Sequence, residues 1–408
     1  MMRMTNMSTK RNWVAAEPRQ KIEADLDCRI RVHTAALERI SFASVRIREY
    51  NGLGSEWNNE GGHVMADKVR VGMIGCGQIA KHLHVPDYAF CPQAEIVALC
   101  DLIPSKAKAL AERWAPNAKV YTDFRKMLKD AKPDAVTVAL PNYLHAPVTI
   151  AALQAGCHVN VEKPMACSVA EAEKMVATAQ KCKRLLNVNQ SQRRFPPHVK
   201  AKEIVESGIL GKILHVTAMF GHEGPEYWSP TGKWFFRRKE ARFGAMADLG
   251  VHKADLVRYL TGKEVAEIAA FFERLEKKNT DVEDNFVSCL KFTDGTVGTL
   301  CASWTLKGMD ANYTILHCAN GTLRIGEIPG KPLVANLIKP GCEIVFDVPP
   351  AVTNNDETWG LDVGGAFVRA ILGLEKPYCP GEEGKKSLEV ILAAEKAALT
   401  KRTVKLKH

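Results

Sequence analysis

The sequence predicts an α/β fold in two parts, and three observations carry that reading. From Val69 the chain runs strand, glycine turn, helix, strand, the opening of a parallel βαβ sheet. Two further apolar strands, Asp134–Leu140 and His158–Val161, flank a helix over Ala146–Ala155. Past residue 280 the pattern becomes β-rich, with Phe286–Phe292 and Thr296–Trp304 joined by Asp294-Gly295, a two-residue hairpin signal. Asn320-Gly321 marks a second hairpin between Tyr313–Cys318 and Thr322–Ile325.

The first strand, Val69–Ile74, leads into Gly75-Cys76-Gly77-Gln78-Ile79-Ala80, which is G-x-G-x-x-A. Gly75 permits the tight turn, Gly77 keeps no side chain between backbone and pyrophosphate, and Ala80 lets helix pack closely on strand. The helix N-terminus offers free N–H groups to phosphates, and Gln78 and Ile79 lie at that terminus. The pattern alone is weak; its context strengthens it. The strand Glu95–Cys100 ends at Asp101, roughly 20 residues on, where the fold sets an acid on the adenosine ribose. A carboxylate there binds the ribose hydroxyls and repels a 2′-phosphate, so NAD is expected over NADP. Asp101 equally suits a loop acid or cap before Pro104-Ser105-Lys106.

The strand Asp134–Leu140 delivers Pro141-Asn142-Tyr143-Leu144-His145, and His158–Val161 delivers Glu162-Lys163-Pro164. Ligands of open parallel sheets sit at the carboxyl ends of strands, which is where Asn142 and Lys163 fall.

Composition narrows the function. No apolar run approaches the roughly 20 residues that cross a bilayer, so no membrane role is expected. The net charge is +10, yet the basic patches, such as Lys181-Cys182-Lys183-Arg184 and Arg237-Arg238-Lys239, are short and mixed with acids. They read as solvated surface, and no nucleic-acid motif accompanies them. Twelve cysteines fall singly, without Cys-x-x-Cys or zinc-ligand spacing, so no metal site is expected. Cys76, Cys100 and Cys289 read as small apolar fillers in strands or turns. Free thiols in this number fit a reducing compartment, the cytoplasm.

Residues 1–64 differ from the rest. They lack an apolar signal core, and Glu17, Glu23, Asp25 and Asp27 argue against a mitochondrial transit peptide. A weak helix is expected over Ala24–Ile47. Met65 looks like a natural start, and Glu60-Gly61-Gly62 just before it can be encoded by a purine tract resembling a bacterial ribosome-binding site. The expectation is therefore a leader or disordered extension over 1–64.

Taken together, Gly75–Ala80, Asp101, Pro141-Asn142-Tyr143-Leu144-His145, Glu162-Lys163-Pro164 and Asp248-Leu249-Gly250-Val251-His252 resemble the family of glucose–fructose oxidoreductase, inositol dehydrogenase and rhizopine-catabolism proteins, the Gfo/Idh/MocA family. Their order and spacing match from Met65 to the end, through the helix Lys386–Leu399 and the closing Thr403-Val404-Lys405-Leu406. The resemblance implies a Rossmann NAD-binding domain over 65–188. It further implies an α+β substrate and oligomerisation domain over 189–408, built on a large, mostly antiparallel open sheet. One face of such a sheet must cover something apolar, and the resemblance implies that it supports the active site or a neighbouring subunit, so a homo-oligomer, dimer or tetramer, is expected.

Carried over from the family, the catalytic set is Lys163, Asp248 and His252, and the cofactor set adds Asn142, His145 and Glu162 to Gly75, Gly77, Gln78, Ile79, Ala80 and Asp101. Asp248 and His252, spaced i and i+4, share a helical face. The histidine would accept the hydroxyl proton as hydride leaves, Lys163 would stabilise the oxyanion, and Asp248 would orient a hydroxyl or balance charge. Each residue has a plainer reading. His252 fits a core histidine, Lys163 a partner of Glu162 or solvent, and Asp248 a helix cap.

Departures matter as well. Many relatives carry three glycines where this chain has Arg242-Phe243-Gly244, and two larger side chains would reshape the pocket wall. Gln190 with Arg193, Arg194 and Phe195 follows the first strand of the second domain, where relatives line the pocket, so Gln190, Arg194 and Trp234 form the substrate set. The aromatics Tyr227, Trp228, Trp234, Phe235 and Phe236 either stack on a ligand or fill an interface.

The resemblance thus implies an NAD-dependent dehydrogenase or reductase acting on a sugar, sugar derivative or cyclitol. Two other functions stay open. One is a glycoside-cleaving enzyme that oxidises a hydroxyl transiently and eliminates, with the cofactor recycled in place. The other is a non-catalytic sensor of sugar or NAD, which the retention of Lys163, Asp248 and His252 argues against.

Overall fold

The computed structural model describes residues 68–349 and 358–407; the expected leader and the helix over Ala24–Ile47 lie outside them. Six strands form a parallel sheet: β1 (Val69–Ile74), β2 (Ala94–Cys100), β3 (Lys119–Tyr121), β4 (Ala135–Val138), β5 (His158–Val161) and β6 (Leu186–Val188), in the order β3-β2-β1-β4-β5-β6. The order reverses between β1 and β4, which opens a crevice at their carboxyl ends. Val71, Val136, Val159 and Val161 are fully buried, as strands covered on both faces require.

Two expectations shift here. The helix after β4 spans Asn142–Gln154, starting four residues earlier than its apolar pattern, because Pro147 in its second turn forfeits only one backbone bond. The strand preceding Gln190 is β6, paired with β5 in the parallel sheet, and not the first strand of the second sheet. Its three residues, Leu-Asn-Val, were too short to assign by pattern.

Nine strands form the second sheet: β7 (Ile213–Gly221), β8 (Val265–Glu273), β9 (Asn285–Phe292), β10 (Val297–Ser303), β11 (Ala311–Cys318), β12 (Gly321–Ile328), β13 (Lys331–Leu337), β14 (Cys342–Val345) and β15 (Val404–Lys405). Their order is β14-β13-β12-β11-β7-β10-β9-β8-β15, antiparallel except for β7 beside β10. Both predicted hairpins form, with different turns. Lys291 pairs with Val297, and Thr293-Asp294-Gly295 make a three-residue loop in which Gly295 takes φ +88°. In the second, Cys318 pairs with Gly321 and the loop is Ala319-Asn320. Gly321 is needed for packing instead, since a Cβ there would lie 2.2 Å from the Asn336 carbonyl oxygen of β13.

The long helix Gly381–Thr400 joins the two halves. Gly381 and Gly384 press on Leu186 and Val188 of β6, where a Cβ at Gly384 would come within 2.4 Å of Val188. Along the same helix, Leu388, Ile391 and Ala394 are buried in the core that also holds Leu256, Leu260, Leu290 and Phe292. Each fully buried aliphatic or aromatic side chain contributes about 1.5–3 kcal/mol. Cys76 and Cys100 are buried fillers as expected; Cys289 is exposed, because alternate residues of β9 face away from the helices.

Candidate active site

The glycine turn closes on the ends of β2 and β4. Gly75 has φ +94°, its N–H donates to the Cys100 carbonyl at 2.8 Å, and a Cβ would stand 2.1 Å from the Ala139 oxygen. Gly77 is the opposite case: nothing lies within 4 Å of where its Cβ would be, so its backbone faces open space. Ala80 is fully buried against Met73 and Leu99. It begins a π turn, Ala80–His84, that continues as the helix Val85–Ala89 without a side-chain cap. Asp101 is fixed at the other end of the turn, its two oxygens accepting from Cys76 N and Ile103 N, each at 2.8 Å.

From Asp101 and Ile103 a cavity of about 830 Å³ runs past Gly77 to Lys163 and Asp248. Gln78, Ile79, Asn142, His145, Glu162 and Trp234 also line it. An elongated cleft with a bare glycine backbone midway and a carboxylate at one end fits a dinucleotide. Gln78 donates to the Trp228 carbonyl at 3.0 Å, tying the glycine turn to the aromatic segment across the cleft. There Trp234 stacks on Phe235 at 3.9 Å, with Trp228 edge-on to the same ring.

Three of the cofactor candidates spend their polar atoms inside the protein. Asn142 Nδ2 donates to the Ala241 carbonyl at 2.7 Å. His145 has its ring nitrogens 2.7 Å from the carbonyl oxygens of Pro164 and Leu140, bracing the loops after β4 and β5; burial pushes its pKa down. Glu162 accepts from Asn189 at 2.6 Å and lies 2.7 Å from His84 Nε2. Burial works against its ionisation, but His84, Lys163 and Asn189 outweigh it and hold the carboxyl below its ordinary value.

At the inner end Lys163 reaches Asp248. Its Nζ donates to the Asp248 main-chain oxygen at 2.6 Å and to Oδ1 at 3.2 Å. Asp248 sits in a second π turn, Met246–Gly250, that runs into the helix Val251–Thr261 carrying His252. π turns cluster at functional sites because they re-aim one side chain within a helix. His252 is buried, and its Nδ1 has no hydrogen-bond partner among the described residues. Burial, then the charges of Lys163 and Lys253 and the neighbouring His198, hold it well below the ordinary histidine pKa. It is therefore a neutral proton acceptor near pH 7.

The remaining candidates stand elsewhere. Gln190 is buried, its Oε1 unpartnered among the described residues, and it does not line the cavity. Arg194 is also off the cavity, bonded to Asp362 at 2.9 Å with Glu375 at 3.7 Å. Of the triplet in place of glycines, only Phe243 and Gly244 form the wall. Arg242 turns away to Glu395 at 2.8 Å, in a backbone conformation, φ +73°, that favours glycine.

Three functional neighbours escaped the sequence reading. Trp304 donates its indole N–H to Asp248 Oδ2 at 3.0 Å. Lys253 is fully buried, its amine 3.3 Å from Thr314 Oγ1, and burial pushes its pKa down to about 7. Glu283 accepts from Gly244 N at 2.8 Å and Met246 N at 3.0 Å, fastening the turn before Asp248; burial raises its pKa to about 7 despite those bonds. None carries a motif, and nothing in the local sequence around them names a partner.

A parallel sheet with a dinucleotide cleft, ending on a lysine–carboxylate pair beside a neutral histidine, defines an NAD-binding oxidoreductase. The chain belongs to the GFO/IDH/MocA oxidoreductase family: the NAD-binding Rossmann model matches residues 69–190, and the family's C-terminal model matches 198–324. It is similar to the D-glucoside 3-dehydrogenase of Escherichia coli strain K12, 33% identical over 254 residues, covering 58% of this chain and 71% of that protein. It also resembles the 1,5-anhydro-D-fructose reductase of Ensifer adhaerens, 28% identical over 81% of this chain and 96% of that one. Among solved structures, the aldose-aldose oxidoreductase of Caulobacter crescentus, complexed with glycerol, superposes with a TM-score of 0.72. It is 27% identical and covers 83% of this chain and 100% of its own. Among the described residues no helix is long and apolar enough to cross a membrane, and no group of three or more His, Cys, Asp or Glu side chains is placed to hold a metal.

Proposed function

We propose that this protein is an NAD-dependent dehydrogenase or reductase acting on a CH–OH carbon of a sugar, sugar derivative or cyclitol. The observation that carries the reading is the Lys163–Asp248 pair on the wall of the cleft, with buried, neutral His252 close enough to feel the charge of the lysine. The similarity to sugar dehydrogenases and reductases supports the substrate class.

When bound, NAD accepts or returns the hydride; the chain's own residues handle the proton and the charge. Gly75, Gly77 and the open helix N-terminus bind the pyrophosphate, with Gln78 and Ile79 beside it, and Asp101 takes the ribose hydroxyls. His252 removes the hydroxyl proton, for which an unprotonated imidazole is required. Lys163, held in place by Asp248, sits beside the developing oxyanion, worth about 3 kcal/mol in comparable sites. Trp234 and Phe243 wall the ring. NAD reduction against inositols, aldoses and glycosides tests the reading. Accumulation of NADH with a polyol supports it, and no turnover with any of them removes it. Cleavage of a glycoside without net NADH would move the assignment to transient oxidation.

We divide the chain into a cofactor domain over 65–188 and a substrate and oligomerisation domain over 189–408, and assign it to the cytoplasm, where free thiols persist. A second copy is proposed to cover the outer face of the nine-stranded sheet. Register aligns Tyr313, Met219, Cys301, Val287 and Phe271 in one row across five strands there. Phe271 and Val287 are 78% and 50% exposed, unusual for large apolar residues in a row. Phe271→Glu with Val287→Lys should reduce the assembly to monomers by light scattering. A wild-type protein already monomeric at micromolar concentration would refute the interface.

A further inference from the structure

We infer that Trp304 is a positioning residue for the reaction, acting through Asp248 on Lys163; this rests on the proposed function of the same site. Both carboxylate oxygens of Asp248 are engaged, Oδ1 by Lys163 Nζ at 3.2 Å and Oδ2 by Trp304 Nε1 at 3.0 Å. His222 Nε2 is the next group, 3.9 Å from Oδ2 and too far for a hydrogen bond. Asp248 therefore has a fixed orientation only while the indole N–H holds its second oxygen. The torsion that turns a carboxylate is soft, with broad wells.

Trp304 is well placed to supply that restraint. It is 0% exposed, its ring is edge-on to Phe236 at 5.7 Å, and its main-chain N–H donates to the Asp284 carbonyl at 2.8 Å. It follows β10 directly. The same sheet lies close against the turn: a Cβ added at Gly250 would stand 3.4 Å from Phe286 of β9 and 3.6 Å from Ala302 of β10. The indole thus projects from a rigid sheet onto the one carboxylate that holds the lysine. Freed of it, the carboxylate would turn, Oδ1 would leave the lysine, and the amine would be held by the Asp248 main-chain oxygen alone, free to swing from its place beside the developing oxyanion. A shift of about 1 Å in a catalytic group costs up to a hundredfold in rate.

Trp304→Phe is expected to lower kcat about tenfold, leaving KM for NAD within about twofold, since the indole is remote from the cofactor-binding turn. The decisive measurement is a double-mutant cycle. In an Asp248→Ala background Trp304→Phe should add less than about a twofold loss, because the group it acts through is gone. Equal losses in both backgrounds would make Trp304 a packing residue and overturn the inference. Should the phenylalanine variant fail to fold, β-(3-benzothienyl)alanine at 304 keeps the ring shape and deletes only the N–H; full activity in that protein has the same overturning force.

A second readout needs no substrate, so it separates failure of this inference from failure of the proposed activity. Acetylation of Lys163 by acetic anhydride, followed by peptide mass spectrometry, should be several-fold faster in Trp304→Phe than in wild type. Equal labelling would show that Trp304 does not restrain the lysine.

Discussion

Lys163 grips Asp248 twice, through the main-chain oxygen at 2.6 Å and the side-chain Oδ1 at 3.2 Å. With Oδ2 held by Trp304, the carboxylate is committed to the lysine and is not placed to take a proton from a substrate. The ion pair orients the ammonium, and in the proposed reaction the base is His252.

His252→Ala should cost roughly 10²–10⁴-fold in kcat, with the loss shrinking at high pH as hydroxide substitutes for the imidazole. Lys163→Ala should cost on the order of a hundredfold. Both variants should bind NAD as wild type does by fluorescence titration, and the double variant should be far less impaired than the product of the two losses. A His252→Ala enzyme with near-normal turnover across pH would remove it from the mechanism.

The next prediction concerns how His252 stays neutral. Lys163 faces it from the loop after β5, His198 from the helix Pro196–Glu206, and Lys253 from its own helix; His222 lies beyond Asp248 at the end of β7. The two carboxylates nearest to it in the chain, Asp255 and Asp248, are paired with Arg193 and Lys163. Lys253, pushed down to about 7 by burial, is charged below that pH and then opposes a second positive charge on His252. Lys253→Met removes that opposition, the imidazolium becomes easier to form, and the acid limb of kcat/KM for oxidation should move to higher pH. The two groups titrate as a coupled set, so the limb belongs to the pair. A pH–rate series on a folded Lys253→Met protein with an unmoved limb would contradict this.

Cofactor choice gives a third. Asp101, pinned by Cys76 N and Ile103 N, cannot swing aside to admit a 2′-phosphate. NAD should be clearly preferred over NADP, and Asp101→Ala should weaken NAD while narrowing the gap. Equal use of both by wild type would point to Lys106, which lines the same mouth of the cleft.

How much of this was readable beforehand depends on how local each signal is. The turn Gly75–Ala80 and the strand ends at Asp101, Asn142 and Lys163 were legible, because backbone geometry at one place demands those residue types. Both hairpins were legible as hairpins, but their loops were not, since Gly295 serves a three-residue loop and Gly321 serves the approach of β13. The pairing of Lys163 with Asp248 spans 85 residues and that of Trp304 with Asp248 spans 56. Partners that distant are set by how the sheet stacks under the π turn, which no spacing encodes. Arg194 shows the reverse failure: a basic residue beside a strand end looked like a ligand group and is instead consumed by Asp362.

The last prediction tests the support beneath the site. Glu283 is buried, and one of its oxygens, Oε1, accepts from both Gly244 N and Met246 N. Burial raises its pKa from 4.5 to about 7, so the folded protein holds a proton there that the unfolded chain releases. The sign follows from the proton count: between pH 4.5 and about 7 the native state binds more protons, and stability falls as pH rises. The slope for one group is about 1.4 kcal/mol per pH unit, giving on the order of 3 kcal/mol across the window. This stability is fully present below pH 4.5 and lost above about 7. Glu283→Gln keeps an oxygen for both N–H groups and cannot ionise, so the loss should vanish. The melting temperature of Glu283→Gln relative to wild type should therefore rise steadily from pH 4.5 to 7 and level off above. A gap that stays constant from pH 5 to 8 would show that Glu283 ionises in the fold as it does in water, and that the turn at Gly244 is held by a charged carboxylate.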